Sequence, residues 1–229
     1  MSLGVCIQTA NAQILKEINK HIPKKVKAGF TEDEAAKAIK EALVKGTGSG
    51  VEIVSKTNGY FKSSEIKIPL PPEAKKVEKK LRAIGMGKKV DDAVLAINRA
   101  AEDAATEAKP IFVAAIKSMS IADAINIVKG EEHAATQYLK RTTTKELKVK
   151  FKPVIKSSLQ KTNATKYWKD MMTAYNKIPM VKKVNPDLTD YATDKAIEGL
   201  FVMIAKEEEK IRENPMARTS DLLKKVFGK

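Results

Sequence analysis

One segment of the sequence carries four lysines at helical spacing: Lys145, Lys148, Lys152 and Lys156. Steps of three, four and four residues place them along one flank of a helix whose apolar edge would hold Leu147, Phe151 and Ile155. Like charges at this spacing weaken an isolated helix, so tertiary packing or a bound anion must offset their repulsion. The row predicts an anion-binding face, and a solvated basic surface is the alternative.

Positive charge is the strongest compositional feature of the sequence. Its 229 residues include 43 Lys and Arg and 28 Asp and Glu, for a formal net charge of +15. Residues 140–183 hold thirteen basic and two acidic residues, a local balance of +11. Lysine supplies 38 of the 43 basic residues. Because lysine is a hydrated point charge and arginine suits bidentate recognition, this composition favours an anionic membrane surface, lipopolysaccharide or an acidic envelope partner.

Nucleic acid is a less favoured partner. Sequence-specific reading of bases relies on arginine, which is scarce in this chain. Tyr167, Trp168 and Tyr175 could stack bases, but their spacing fits a core stripe equally well.

A second set of residues places polar groups on the apolar side of two predicted helices: Asn98, Arg99, Glu102, Glu208 and Arg212. Asn98 and Glu102 lie one helical turn apart, as do Glu208 and Arg212. The pattern favours a buried structural network or ordinary helix salt bridges. The functional alternative is a polar ligand site between helices, in which Glu102 and Glu208 support hydrolysis only if both reach one substrate.

Other chemistries find little support in the sequence. Residues 45–50, KGTGSG, resemble a phosphate loop but lack the Gly-Lys-Ser/Thr ending, and a helix precedes them. Close helix packing or a hinge explains these glycines better. His21 and His133 are far apart and Cys6 is the one cysteine, so we predict no metal site, catalytic residue or cofactor.

Apolar residues at three-to-four spacing run through at least four long segments. They predict an all-α, bundle-like fold of about eight helices. The clearest segment runs from 90 to 119, where Pro110 should kink or divide the helix. At most one short extended or β segment is expected near residues 60–70, where Pro69 would restrict a strand to a sheet edge.

Short polar signals mark the expected ends of the helices. Helix starts are expected at three pairs: Thr31 with Glu34, Ser120 with Asp123, and Thr143 with Glu146. The first of these helices should stop at Asn58-Gly59, after a kink or break at the glycines of residues 46–50.

The last long helix should run from Thr189 or Thr193 to Asn214-Pro215, followed by a short helix capped by Thr219. Its full apolar stripe needs a partner, so residues 13–229 are counted as one domain.

The first twelve residues are interpreted as the remnant of a signal peptide. Ala10-Asn11-Ala12 before Gln13 fits the small-x-small site of a signal peptidase. A lipoprotein signal cut before Cys6 and an ordinary frayed N-terminus are the alternatives. No segment approaches eighteen consecutive apolar residues, so we predict no transmembrane span. The expected location is the periplasm or envelope.

Four stretches carry a family resemblance: GYFKSSEIKIPLP, AINRAAEDAATEAKPIFVAAIKSMS, GEEHAATQYLKRTT and NPDLTDYATDKAIEGLFVMIAKEEEKIRENPMARTSDLLKKVFG. In their amino-acid sequences and in their order along the chain, they resemble an exported bacterial family, domain of unknown function 4197. The resemblance implies an envelope protein of Gram-negative-type bacteria, with some lipoprotein-like members. It carries over no activity and no catalytic residue.

These observations favour a non-enzymatic exported protein that binds a partner or an anionic surface through its lysine-rich face. The first alternative is a hydrolase-like periplasmic enzyme with a polar site between helices. The second is a nucleic-acid binder.

Overall fold

The computed structural model of the protein describes residues 31–213, except for the side chains of residues 163 and 164. Eight α-helices and no strand make up this part of the chain, which confirms the all-α prediction. The helices are α1 (Glu32–Ser55), α2 (Lys75–Ala83), α3 (Gly87–Ala105), α4 (Ala108–Ser118), α5 (Ile121–Lys129), α6 (Ala134–Gln160), α7 (Asn163–Tyr175) and α8 (Thr189–Glu213). A 3-10 turn, Pro72–Ala74, leads into α2.

Helix α1 begins and ends at the predicted signals but runs unbroken through its glycines. The capping box of Thr31 and Glu34 is formed, and Asn58 adopts a positive φ of 73° shortly after the helix ends. A Cβ at Gly46 would lie 3.1 Å from Ile211, and one at Gly50 would lie 3.3 Å from Ile204. The expected break is therefore wrong, because packing against α8 outweighs the low helix propensity of glycine.

The segment between α1 and α2 consists mostly of turns over residues 57–66, and residues 67–69 continue without forming a strand. Ile66, Ile68 and Leu70 are all buried in the core. The alternation of apolar residues over 66–70 therefore reflects the burial of every second side chain in the core. The segment's backbone N–H and C=O groups form hydrogen bonds with side chains of other elements and not with a neighbouring strand.

The helical pattern of residues 90–119 is divided near Pro110, as predicted. Helix α3 ends at Ala105 and α4 begins at Ala108, so Pro110 falls in the first turn of α4. A proline is tolerated there because the first turn has no intrahelical acceptor for its missing N–H.

The capping box predicted at Thr143 and Glu146 does not form, so this prediction is wrong. Thr143 lies inside α6, is buried, and donates its hydroxyl hydrogen to the carbonyl of Leu139 at 2.6 Å. Helix α6 continues because its buried stripe extends on both sides of this point, from Leu139 to Leu159. The box at Ser120 and Asp123, by contrast, is formed at the start of α5.

The most extensive helix contacts join α3 to α6, α6 to α8 and α1 to α8. Alanines line the buried face of α3, where Ala93, Ala100 and Ala104 are fully buried and allow close approach of neighbouring helices. Helix α7 packs against α3 through Trp168 and Met172. The signal-peptide remnant of residues 1–12, the stop at Asn214-Pro215 and the helix capped by Thr219 lie outside the described residues.

Candidate functional site

The four lysines of the predicted row lie on the solvent-exposed side of α6. Lys145, Lys148, Lys152 and Lys156 are all exposed. The adjacent stripe of Leu147, Phe151 and Ile155 is fully buried. The local geometry of the row is therefore as the spacing predicted.

Two of the four lysines form ion pairs with α8. Lys148 Nζ lies 2.8 Å from Asp194 Oδ1, and Lys152 Nζ lies 2.6 Å from Asp190 Oδ1. The hydrogen bond from each ammonium raises the pKa of both lysines. All four side chains are about half exposed, so solvent screens the pairs. These two ion pairs link α6 to α8, and the aspartates offset part of the positive charge of the lysines.

Lys145 and Lys156 form no ion pair within residues 31–213. Lys156 stands where two clefts meet, one between α6 and α8 and the other beside α7. Near it, hydrogen bonds from Thr189 lower the pKa of Asp187, and the charges of Lys156 and Lys152 add to this effect. Lys145 and Lys156 therefore hold the row's uncompensated charge.

The row belongs to a larger group of cations, which we call the basic segment, residues 140–183. All of its basic side chains are exposed: Lys140, Arg141, Lys145, Lys148, Lys150, Lys152, Lys156, Lys161, Lys166, Lys169, Lys177, Lys182 and Lys183. Its two carboxylates, Glu146 and Asp170, are exposed as well. None of these cationic side chains is buried in the core.

Asn98 of α3 holds the segment between α1 and α2 at Ile68. Its Oδ1 accepts a hydrogen bond from the N–H of Ile68 at 2.9 Å, and its Nδ2 donates to the carbonyl of Ile68 at 2.8 Å. The same Nδ2 donates to the carbonyl of Val94 at 2.8 Å. The fully buried amide therefore replaces the partner strand that the segment lacks.

Glu102, one turn further along α3, holds the start of the same segment. Its Oε1 accepts hydrogen bonds from the N–H groups of Tyr60 and Phe61, both at 3.1 Å. Arg99 donates to its Oε2 at 2.5 Å and also to Asn58 Oδ1 at 2.9 Å. Arg99 and Glu102 thus form one network that fixes residues 58–61, and Asn98 fixes Ile68 separately.

Glu208 and Arg212 form a second network at the start of α6. Glu208 accepts hydrogen bonds from the N–H groups of Ala135 and Thr136 at 3.1 Å and 2.8 Å. Arg212 donates Nε to Glu208 at 3.0 Å and Nη2 to the carbonyl of Ile127 at 3.1 Å. The carboxylate stabilises the N-terminus of α6, where partial positive charge and unpaired N–H groups favour an anion.

These hydrogen bonds therefore divide the five residues grouped by the sequence into the Arg99–Glu102 network, the Glu208–Arg212 network and the separate contacts of Asn98. Glu102 and Glu208 are 3% and 8% exposed, and backbone N–H donors occupy both carboxylates. This geometry favours the structural interpretation of both.

The protein-family model described as "Protein of unknown function (DUF4197)" matches residues 29–228. The chain belongs to the DUF4197 family. The match spans most of the chain, including the basic segment and both polar networks. No curated protein and no solved structure matches it.

In this DUF4197 protein, Trp168 lies at the edge of a cleft between α6, α7 and residues 186–189. The cleft has a volume of about 310 Å³ and is also lined by Lys156, Lys166 and Lys169. Trp168 is fully buried, and its Nε1 has no hydrogen-bond partner among the described residues. Because its ring is buried, Trp168 cannot stack a base. Of the three aromatic residues considered for this role, only Tyr167 is well exposed to solvent.

A group of three acidic side chains in this DUF4197 protein was not predicted from the sequence. Carboxylate oxygens of Glu132, Glu209 and Glu213 lie within 4.8 Å of one another, close enough to bind one divalent cation. Glu209 and Glu213 are one turn apart, which is a local signal, but only the fold brings Glu132 to them. The ion-pair partners Asp190 and Asp194 were missed for the same reason.

Within residues 31–213, no single helix of this DUF4197 protein combines the length and hydropathy needed to cross a membrane. Helices α4 and α5 have the required length and hydropathy only when they are taken together, and the chain bends by 103° between them.

Proposed function

We propose that this protein is a non-enzymatic binder of an anionic surface and that the basic segment makes the contact. The observation that carries the proposal is the exposure of all thirteen cations of the segment against only two carboxylates. Apart from Lys148 and Lys152, which form ion pairs with α8, these exposed cations are available to a partner. Attraction of this kind is diffuse and decreases as salt rises.

The nature of the side chains supports a surface over a shaped ligand site. Twelve of the thirteen cations are lysines, which act as mobile point charges. Each lysine close to an anionic membrane strengthens association by about fivefold. A group of several lysines therefore gives salt-sensitive binding without a closed pocket.

An enzymatic role has less support. The alternative of a hydrolase rested on Glu102 and Glu208, but each carboxylate accepts two or more backbone N–H donors in its own network. A general acid or base has to exchange a proton with substrate, and a carboxylate held by such donors is a structural anchor.

Co-sedimentation with vesicles tests the proposal. The wild type is expected to bind phosphatidylglycerol-containing vesicles at low salt, to bind less at high salt, and to leave phosphatidylcholine vesicles unbound. Replacing Lys145, Lys148, Lys152 and Lys156 by glutamine should weaken binding by more than about tenfold. The matched control replaces four exposed lysines of α2 by glutamine: Lys75, Lys76, Lys79 and Lys80.

The two quadruple variants have the same net charge. A difference between their affinities for vesicles therefore reports the position of the lysines and not the total charge. Equal losses would mean that net charge alone drives binding and would refute the role of the basic segment. A wild type that binds neither anionic vesicles nor soluble poly-glutamate at low salt would refute the proposal altogether.

Export to the envelope is part of the same proposal and rests on the cleavage pattern Ala10-Asn11-Ala12. Mass spectrometry of the protein expressed with its own leader is expected to find Gln13 as the first residue. A lipid-modified Cys6 would support the lipoprotein alternative. An intact leader on a cytoplasmic protein would refute export.

A further inference from the structure

The chain between α7 and α8 forms a loop, residues 176–184, whose two ends are joined by one side chain. Asn176 donates Nδ2 to the carbonyl of Val184 at 2.7 Å, and its Oδ1 accepts the N–H of Val184 at 2.8 Å. Val184 is buried, and Asn176 continues the hydrogen bonding of α7 by donating its N–H to Met172. The base of the loop is therefore anchored to the fold.

The tip of this loop is apolar and exposed to solvent. Ile178 is 53% exposed and Met180 is fully exposed, with Pro179 exposed between them. Met180 has a left-handed backbone with φ of 62°, a conformation that is uncommon for residues other than glycine. The other exposed large apolar side chains of residues 31–213 lie singly on helices or at a helix end, so the tip is the place where two of them adjoin.

Positive charge flanks the apolar tip on both sides. Lys177 precedes it, and Lys182 and Lys183 follow it, all exposed. No acidic residue occurs between Asp170 and Asp187. An apolar tip between cations matches the boundary between the acyl chains and the headgroups of an anionic bilayer, where lysines extend their ammonium groups to the headgroups.

We propose that the tip of the 176–184 loop inserts into an anionic phospholipid bilayer, so that lipid is the partner of the basic segment. This inference rests on the proposed function and names its partner. Pro179 has no N–H, which lowers the cost of removing the tip from water. Ile178, Pro179 and Met180 offer far less area than the roughly 1,000 Å² of a stable protein interface. They also lack the aromatic faces that stack on nucleic-acid bases.

Insertion can be separated from electrostatic attraction by changing the tip alone. The double variant Ile178→Ser/Met180→Ser keeps every lysine and is expected to bind phosphatidylglycerol-containing vesicles about tenfold more weakly than wild type. The control Ile84→Ser/Ile121→Ser removes two exposed apolar side chains from other parts of the fold and should bind as wild type. Both variants should bind soluble poly-glutamate like wild type, and far-UV circular dichroism should show the helical spectrum of wild type in both.

An environment-sensitive nitrobenzoxadiazole dye reports the position of the tip directly. It is attached at Met180→Cys in a chain whose one native cysteine, Cys6, is changed to serine. With anionic vesicles, its emission should shift to the blue and be quenched by brominated acyl chains, whereas the same dye at Ile84→Cys should show neither effect.

The outcomes distinguish this inference from the proposed function. If the wild type binds anionic vesicles but the tip variant binds equally well and the dye at position 180 stays in water, insertion is refuted and surface binding stands. If the wild type binds poly-glutamate but no vesicle, the partner is a soluble polyanion and insertion is refuted. If it binds neither, both proposals fail.

Discussion

Glu208 of α8 accepts both the backbone N–H and the hydroxyl of Thr136 of α6, each at 2.8 Å. The two residues are 72 positions apart in the sequence. His133, at the N-cap of α6, has a left-handed backbone and supplies no capping side chain. The start of the lysine-bearing helix is therefore capped by a different helix, which fixes α6 relative to α8.

Replacing Glu208 by alanine should lower the free energy of unfolding by about 2–4 kcal/mol, because it removes a cap and leaves Arg212 without this partner. Chemical denaturation measures the loss. The control is Glu198→Ala on the exposed side of the same helix, with an expected change within about 0.5 kcal/mol. Similar losses in the two variants would contradict the capping role.

The same substitution at two helical glycines should have opposite effects. A Cβ at Gly199 of α8 would lie 2.7 Å from Tyr60 Cε1, so Gly199→Ala should destabilise the protein by about 1–3 kcal/mol. A Cβ at Gly48 of α1 would meet nothing within 4 Å, so Gly48→Ala should stabilise it by about 0.5–1 kcal/mol. Thermal unfolding compares the two, and destabilisation by Gly48→Ala would argue against a continuous α1.

Stability should fall at high pH because of Tyr60. Its buried hydroxyl donates to the carbonyl of Ala196 at 2.6 Å, and burial raises its pKa. Burial also raises the pKa of Tyr191 to about 12. The unfolded chain loses these protons near pH 10 while the folded chain keeps them, so the stabilising contribution is complete below about pH 10 and is lost as pH rises above it.

Tyr60→Phe tests this pH dependence. The variant should be less stable than wild type at pH 8 by about 1 kcal/mol, the value of one buried hydrogen bond. Its stability should then decline less steeply between about pH 10 and 12. Urea unfolding across this range gives the comparison, in which lysine titration is common to both proteins. Parallel curves would show that Tyr60 does not titrate on unfolding.

Removing the carboxylates that pair with the lysine row should strengthen binding to anionic vesicles. Asp190→Asn/Asp194→Asn releases Lys152 and Lys148 from their ion pairs, and we expect a gain of about fivefold per lysine. Glu52→Gln/Asp92→Asn is the matched control, since it releases Lys56 and Lys88 elsewhere on the fold. A gain confined to the first variant supports the proposed site, and an equal gain in both argues for net charge.

Several local features could be predicted because neighbouring residues decide them. The capping boxes at Thr31 and Ser120 satisfy backbone N–H groups within three residues. Pro110 divides two helices because its ring and missing N–H act on the adjacent turn. The exposed flank of lysines on α6 follows from the same helical period that buries Phe151.

Two local predictions failed where distant packing outweighed them. Thr143 has the spacing of a cap, but its hydroxyl bonds within α6 because the helix is held in place on both sides of it. The glycines of α1 have low helix propensity, but the absence of a side chain at Gly50 lets Ile204 approach and keeps the helix whole.

The sequence by itself determined the helical period, several helix ends, the excess of positive charge and the family resemblance. Only the tertiary structure decided which partners the charged groups have: backbone N–H groups for Glu102 and Glu208, and α8 carboxylates for Lys148 and Lys152. The physical reason is range. Helix periodicity and capping act within about one turn, whereas a hydrogen bond or ion pair between distant residues depends on how whole helices pack.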